Sequence, residues 1–595
     1  MGFVSSNECR SCHPHEYATW HASYHRTMTQ VVGPETVLAD FEDLELRFDG
    51  RPYNLSQRNG EFWVELSDPD GVDQVIAAAQ RGEISRAREM ASQLPRVRRQ
   101  IVMSTGSHHY QLYWYPSGSG RELYMLPFAY LIAEKRWVPR VSIFLVPPNE
   151  VEPRKVWNRD CMPCHSTGGA PGYAVSQVES DRLGAPDSHA AEVGIACEAC
   201  HGPSAEHIVA NRNPIRRYEF HLSAGVDPSA VQPERLEAER SAQVCGQCHS
   251  VNTSYTFADW AQTLKDGSPY RAGGDLRQST YVVSPDTVSE SPLFQGWVQR
   301  NQGTLDEWFW PDGEVRVAGR EYNGLLESPC YQGGEFSCIS CHSIHGSDPD
   351  DQLAAEMDGD QACLQCHEKF QQNIEKHTHH PAKSSGSRCY NCHMPHTTYG
   401  LLKAVRSHRI SSPSLSSDIE SGRTNACNLC HLDQTLAWTQ RHLSDWYDAA
   451  EAAVEGDQRT VAAGVLGLLR GDAGTRAILA WHMGWEPAQK ASRADWMAPF
   501  LALMLDDPYD AVRFIGSRSL GRVPGFASFQ YDYLAVSDER RRAVSRVMQL
   551  WKLPSDTPWR SEGDRVLIRP DGALHSDQVG RLLESRDHRP ISLVE

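Results

Sequence analysis

The sequence predicts a mainly α-helical protein with much irregular structure, a small β-containing insert near the N-terminus and an α-helical repeat domain near the C-terminus. Three observations support this fold class. A Cys-x-x-Cys-His motif recurs as far as residue 431, strand patterns cluster within residues 41–150, and apolar residues follow a helical period after residue 436. The 595 residues exceed what one hydrophobic core normally supports, so we expect several modules.

The composition argues against two classes of protein. The chain has 58 Lys and Arg against 76 Asp and Glu, a net charge of −18. Because no basic stripe accompanies this acidic balance, we expect no nucleic acid partner. The longest near-continuous apolar stretch, residues 497–505, is much shorter than the roughly 18 residues that a membrane-spanning helix needs. We therefore also expect no membrane span.

Sixteen of the 17 cysteines fall in eight copies of the motif, whereas this composition would give about 0.02 copies by chance. We number the motifs in chain order. Their cysteines are Cys9 and Cys12, Cys161 and Cys164, Cys197 and Cys200, Cys245 and Cys248, Cys338 and Cys341, Cys363 and Cys366, Cys389 and Cys392, and Cys427 and Cys430. The histidines that follow them are His13, His165, His201, His249, His342, His367, His393 and His431.

Each motif has the residue types and the spacing for covalent attachment of haem c. One helical turn presents two thiols to the two vinyl groups at one edge of a porphyrin, and the next histidine binds the iron. A zinc site pools two cysteine pairs without requiring a histidine after each, and a disulfide framework would not fix the histidine either. A thioredoxin-like motif would occur once. We therefore predict eight covalently attached haems, each with its motif histidine as the proximal ligand.

Haem c also predicts where the protein is found. Bacteria attach haem to this motif outside the cytoplasm, so we expect an extracytoplasmic protein, either periplasmic or extracellular. The written chain starts Met-Gly-Phe-Val-Ser-Ser, without the basic and apolar regions of an export signal. We expect a signal peptide that is absent from this numbering.

The spacing of the motifs divides the chain into segments. We predict a first haem-binding segment (1–40), a β-containing insert (41–150), a three-haem segment (151–260), an irregular insert (261–330), a four-haem segment (331–435), a HEAT-like helical domain (436–555) and a C-terminal tail (556–595). Within the β-containing insert, alternating residues predict strands at 44–48, 62–66, 109–115, 122–126 and 141–146, with a helix over 82–100.

The helical domain has two pairs of apolar-periodic segments, 460–470 with 475–483 and 496–505 with 511–520. Asp472 and Asp507 stand at equivalent places 35 residues apart, near the period of helical-hairpin repeats. This pattern resembles HEAT repeats. We expect the domain to support the haem-binding core, with partner docking as the alternative.

The remaining 18 histidines are the source of possible second axial ligands, which distinguish an electron-transfer haem from a catalytic one. A low-spin electron-transfer haem has a second axial histidine, whereas a catalytic haem has an open or weakly held position. The candidates for the second position are His25, His207, His345, His396, His408, one of His108 and His109, and one of His379 and His380. Less favoured are His15, His21, His189, His221 and His377. The leftover Cys330 is expected to be a buried thiol, with a ligand or redox role as the alternative.

Three segments resemble the multihaem cytochrome c superfamily. They are Cys197-Glu-Ala-Cys-His-Gly-Pro-Ser-Ala-Glu-His207, the segment from Trp20 to Ser-Tyr-His25, and His379-His-Pro followed by Cys389-Tyr-Asn-Cys-His-Met-Pro395. This superfamily includes cytochrome c554, pentahaem nitrite reductase, octahaem hydroxylamine oxidoreductase and octahaem tetrathionate reductase. The resemblance covers about residues 5–435 and implies closely stacked haems that exchange electrons rapidly. The chain departs from two of these enzymes. Every motif here ends in His, whereas the nitrite reductases usually bind the catalytic haem through a motif that ends in Lys. No segment matches the tyrosine cross-link of hydroxylamine oxidoreductase.

Two classes of function follow. The favoured one is an octahaem cytochrome that carries electrons between redox partner proteins through mostly bis-His haems. The alternative is an oxidoreductase acting on a small nitrogen or sulfur compound (nitrite, hydroxylamine or tetrathionate) at one open-site haem, with Lys135 and Arg136 lining an anion pocket. A homo-oligomer or a filament subunit would also conduct electrons.

Overall fold

The computed structural model describes residues 2–118, 120–148, 150, 154–174, 184–223 and 225–594. It combines many short helices with small antiparallel sheets, so the predicted mixture of helix, irregular structure and a limited amount of strand is confirmed. Among the described residues, no helix is both long and apolar enough to cross a bilayer.

The β-containing insert forms two antiparallel sheets. One has the strand order Leu44–Phe48, Arg51–Arg58, Glu61–Ser67 and Arg96–Gln100. The other has the order Thr29–Val31, Met103–Thr105, Tyr110–Pro116, Leu123–Leu131 and Arg136–Pro139. The first two hairpins turn at Asp49-Gly50 and Asn59-Gly60, where all four residues have positive φ, as a two-residue type I′ turn requires.

The strand Tyr110–Pro116 separates two hydrophobic cores. Tyr113 and Tyr115 pack in the core between the two sheets, while Leu112 and Trp114 point into the larger core that continues to the C-terminal helices. Because successive side chains of a strand face opposite sides, the five-stranded sheet forms one wall of the haem-binding region.

Two predicted elements of the insert are wrong. The predicted helix over 82–100 ends early: the helix is Ile84–Ser92, and Arg96–Gln100 is a strand paired with Glu61–Ser67. The predicted strand at 141–146 is instead a 3-10 turn, Arg140–Ile143, followed by an isolated bridge from Leu145 to Leu593. Both differences come from tertiary pairing, which overrides local pattern.

The haem-binding segments consist of short helices joined by irregular chain. The motif cysteines lie on or beside the turns Ser6–Glu8, Met162–His165, Cys197–His201, Ala238–Gly246, Cys338–Ser340, Gln361–Leu364, Cys389–His393 and Ala426–Cys430. The other helices before residue 436 are Pro14–Ala22, Tyr24–Thr27, Pro69–Gln80, Ile84–Ser92, Trp157–Asp160, Ala205–Asn211, Pro214–Ser223, Phe257–Asp266, Pro292–Arg300, Thr304–Trp308, Glu321–Leu326, Pro329–Gln332, Ile374–Thr378 and Leu415–Ser421. Three two-stranded pairs join Ser166–Thr167 to Glu192–Val193, Asn252–Thr253 to Tyr281–Val282, and His396–Gly400 to Lys403–Arg406.

The C-terminal region is helical and densely packed. Its helices are Leu436–Tyr447, Asp457–Thr460, Ala463–Arg470, Ala473–Met483, Glu486–Ser492, Ala498–Met504, Asp510–Leu520, Ser537–Leu550, Trp559–Glu562 and Ser576–Glu584. The helix Ala473–Met483 packs between Asp510–Leu520 and the hairpin that begins at His396. Residues 556–594, expected to be a weakly structured tail, include two of these helices and pair with the insert through Leu593.

Two buried ion pairs fix this region. Arg476 binds Asp507 at 2.7 Å, and both side chains are almost completely buried. Arg316, from the irregular insert, binds Asp472 at 2.7 Å. The two aspartates that stand at equivalent places in the predicted repeats therefore each accept a buried arginine.

Candidate haem-binding sites

Seven of the eight motifs, all but motif 1, line one continuous cavity of about 2410 Å³. Close-packed protein interiors contain few voids larger than a water molecule, so side chains alone do not account for the core of this region. The lining presents motif thiols, imidazoles and apolar side chains. These are the groups that attach, ligate and surround a haem.

Six proximal histidines each face a second histidine. The pairs and the distances between their ring centres are His13 and His207 (6.2 Å), His249 and His25 (6.2 Å), His201 and His345 (6.3 Å), His342 and His408 (6.3 Å), His393 and His377 (6.1 Å), and His431 and His380 (6.0 Å). An imidazole nitrogen binds a transition metal at about 2 Å, so two rings on one iron have centres roughly 6 Å apart. The six pairs fit an iron porphyrin.

Local structure holds the second histidine of a pair in place. His207 lies on the helix Ala205–Asn211, directly after a turn in which Gly202 has a φ of 74°. Its Nδ1 lies 3.2 Å from the hydroxyl of Ser229 and 3.3 Å from the carboxylate of Asp227. An outer hydrogen bond of this kind orients the ring and leaves Nε2 to face the opposite histidine.

Five of the favoured candidates belong to opposed pairs: His25, His207, His345, His380 and His408. His377, a less favoured candidate, belongs to a sixth. The sequence signal for His377 was its place three residues before His380, at the end of the helix Ile374–Thr378.

The structure does not bring the other candidates opposite a proximal histidine. The ring of His396 contacts Trp481, Trp485 and His482 at 4.9–5.4 Å. His379 has a φ of 57° and stacks on Trp446 at 4.3 Å.

His108 and His109 stack on each other at 3.8 Å, and His108 also stacks on Tyr24 at 4.3 Å. His108 Nε2 lies 3.5 Å from Asp350. These contacts make a polar aromatic cluster at the cavity wall in place of an opposed pair.

The two cations expected to line an anion pocket lie elsewhere. Lys135 and Arg136 are exposed at a turn of the five-stranded sheet, and Arg136 binds Asp532 at 3.0 Å. Neither residue lines the large cavity.

The side chain of His221, also a less favoured candidate, lies outside the described part of the structure.

In the part of the chain that the structure describes, His165 and His367 face no second histidine. His165 is half-buried and lines the cavity, and burial lowers its pKa to about 4. His367 is exposed, and its nearest aromatic ring is Phe370 at 6.4 Å. The two unpaired proximal histidines therefore stand in different environments.

The outer hydrogen bonds of the proximal histidines also differ. Nδ1 of His249 lies 2.9 Å from the carboxylate of Glu321. Nδ1 of His201 and of His393 lie 2.7 Å and 3.0 Å from backbone carbonyl oxygens. Nδ1 of His165 is buried with no hydrogen-bond partner in the described structure.

Close cysteines show which motifs are neighbours. Thiols of motifs 1 and 3, 2 and 4, 4 and 5, and 6 and 7 lie close enough to shift the pKa of each other: Cys9 with Cys197, Cys164 with Cys248, Cys245 with Cys338, and Cys363 with Cys389. Further electrostatic neighbours link motifs 3 and 4, 5 and 6, and 7 and 8. The motifs are thus ordered 1–3–4–5–6–7–8, with motif 2 beside motif 4.

Cys330, outside the motifs, is half-buried and lines the same cavity. Burial, followed by the charges of Cys363 and Cys366, raises the pKa of its thiol. The thiol was expected to be buried, and the structure places it at intermediate exposure at the edge of this cavity.

Two family descriptions match parts of the chain. The doubled CXXCH motif matches residues 329–372, and cytochrome c554 and c-prime matches residues 148–202. The chain is also similar to the multiheme cytochrome MtrA of Shewanella baltica (strain OS185), with 22% identity over 238 residues. That match covers 40% of this chain and 45% of MtrA, so the chain spans less than half of that relative's length.

A solved structure, that of the outer cell wall cytochrome OcwA, aligns with 93% of this chain and 100% of its own. The sequence identity is 16% and the TM-score is 0.44. A score of this size does not establish a common fold.

Proposed function

We propose that the chain is a multihaem c-type cytochrome that conducts electrons along eight covalently attached haems. The observation that carries this proposal is the set of six opposed histidine pairs with ring centres 6.0–6.3 Å apart. A haem with two histidine ligands is coordinatively saturated, which suits it to electron transfer rather than to substrate binding.

The order of the motifs supports a continuous path. In the order 1–3–4–5–6–7–8, each motif has a cysteine close to a cysteine of the next motif. A covalently attached haem has its thioether-bonded edge at the cysteines of its own motif. Neighbouring haems are therefore held close together along the molecule. Motif 2 forms a side branch at motif 4.

The proposal includes an extracytoplasmic location and redox partner proteins at the two ends of the path. Haem c is attached outside the cytoplasm, which supports the location. We also propose that the C-terminal helices support the four-haem segment, because Ala473–Met483 packs on the hairpin His396–Gly400 and Lys403–Arg406. A homo-oligomer or filament would extend the same path between copies.

Haem counting on the mature protein tests this proposal. We expect an intact mass raised by eight haems, retention of colour after denaturation, and low-spin bis-His spectra for at least six haems. A mass short by several haems, or fewer than six low-spin haems, would contradict it.

A second candidate function rests on motif 2. His165 is half-buried and has no histidine opposite it in the described structure, so we propose that its iron binds a small nitrogen or sulfur oxyanion. Burial raises the pKa of Cys161 to about 12, while the nearby charges of Lys155 and Arg140 act to lower it. The same two cations line the cavity and would attract an anion.

Anion binding separates the two functions. An oxidoreductase should show a high-spin ferric signal that nitrite or sulfite shifts, together with turnover of that compound. A protein whose haems are all low-spin and inert to both anions is a conductor only.

A further inference from the structure

We propose that Glu321 is a positioning residue that lowers the reduction potential of the motif 4 haem below that of motif 2, so that the electron step from motif 4 to motif 2 is downhill. This inference rests on the proposed electron transport and on motif 2 having the open iron. It concerns a residue outside every motif.

Glu321 is held firmly against the proximal histidine of motif 4. One carboxylate oxygen lies 2.9 Å from Nδ1 of His249, and the other accepts the N–H of Gly319 at 3.0 Å. The backbone adds a second link, because the N–H of Tyr322 donates to the carbonyl of His249 at 2.9 Å. The carboxylate and the imidazole thus keep a fixed relative position.

A carboxylate behind a ligating imidazole makes that imidazole a stronger donor. A stronger donor stabilises the ferric more than the ferrous state and lowers the potential. The backbone carbonyls behind His201 and His393 have this effect to a smaller degree, because they carry no full charge. His165, with no acceptor at Nδ1, is the weakest donor of the four.

The strongest and the weakest of these donors belong to neighbouring motifs. Sγ of Cys248 in motif 4 lies 3.9 Å from the carbonyl oxygen of Cys164 in motif 2. The cation Arg320 acts on both His165 and His249, so it contributes little to the difference between them.

The step itself is the transfer of one electron. Ferrous iron at motif 4 is oxidised, ferric iron at motif 2 is reduced, and no bond is formed or broken. Motif 4 also adjoins motifs 3 and 5, so an electron that reaches motif 4 from either side has a downhill step to motif 2.

The test is a spectroelectrochemical titration of the holoprotein. We expect Glu321→Gln to move the potential of one low-spin haem, that of motif 4, to a more positive value. The motif 5 haem should move by less, because the charge of Glu321 also acts on His342 and His408. The matched control is Glu327→Gln, an exposed carboxylate at the other end of the same helix, which should move none. No shift, or an equal shift of all haems, would overturn the proposal.

If Glu321→Gln loses haem, a second variant and a wild-type measurement still test the proposal. Glu321→Asp, with a shorter side chain, should move the same haem in the same direction by less. In the wild-type protein, high-spin ferric signal should disappear in a reductive titration before the low-spin signal that Glu321→Gln shifts. High-spin signal that disappears last would overturn the direction proposed here. A complete absence of high-spin signal would instead contradict the open iron at motif 2, while the Glu321 variants still report on motif 4.

Discussion

His377 and His380 lie three residues apart, yet their rings face the proximal histidines of two different motifs, 7 and 8. Between them, His379 takes a left-handed backbone conformation and turns its ring onto Trp446. One short segment can therefore supply ligands to two neighbouring irons. This arrangement fixes motifs 7 and 8 relative to each other.

Substitution of the two histidines should affect two separate haems. We expect His377→Ala and His380→Ala each to convert about one haem in eight from low spin to high spin, and the double variant to convert two. Electron paramagnetic resonance of the oxidised protein measures this. The control His379→Ala should leave the spin states unchanged; conversion of a haem in that variant would contradict the assignment.

His408 gives an independent check in motif 5. We expect His408→Ala to convert one haem to high spin and to raise its potential, because the iron loses an axial imidazole. The matched variant is His396→Ala, whose ring packs on Trp481 and Trp485. It should reduce stability by about 1–3 kcal/mol through lost packing without changing any spin state.

The buried pair of Arg476 and Asp507 should dominate the stability of the C-terminal helices. Arg476→Met leaves the fully buried Asp507 carboxylate with the more distant Arg586 at 3.4 Å and the N–H of Tyr509 at 3.0 Å, so we expect a loss of about 3–5 kcal/mol. Urea denaturation followed by circular dichroism measures the change. As a control, Arg541 forms an exposed ion pair with Asp538. Arg541→Met should therefore lower the free energy of unfolding by less than about 1 kcal/mol.

Acid should destabilise the same helices through His482. This residue is completely buried, and burial lowers its pKa to about 4, whereas the unfolded value is about 6.5. Between these values the unfolded chain binds more protons, so stability falls as the pH falls from about 6.5 to about 4, by roughly 3 kcal/mol in all.

Thermal unfolding as a function of pH checks this window. His482→Gln should flatten the dependence, while the exposed His588→Gln should leave it intact. A wild-type unfolding temperature that is constant between pH 4 and pH 6.5 would contradict the assignment.

The motifs could be predicted because haem attachment needs contiguous residues. Local context favoured some histidines that the structure places in opposed pairs, such as His207 after Gly202-Pro203. The sequence ranked His379 or His380 above His377, yet the structure opposes both His377 and His380 to proximal histidines, because one backbone angle and Trp446 from a distant helix turn His379 away. The outer partners, such as Glu321 behind His249, left no sequence signal.

The same reasoning applies to the fold. Strands with clear alternation and type I′ turns, such as Leu44–Phe48, were predictable from local residues. The edge strand Arg96–Gln100 was not, because its structure comes from pairing with Glu61–Ser67. The helices around Asp472 and Asp507 followed from apolar periodicity, but their buried arginines depend on tertiary structure.

The opposition of His13 and His207 has a consequence for assembly of the protein. His13 belongs to the first motif and His207 lies six residues after the third, with the whole β-containing insert between them. A metal held by both would act as a removable cross-link that closes a very long loop and restricts the unfolded chain. Maturation would then convert a loosely tethered polypeptide into a protease-resistant one, with cofactor loading as the final step of folding.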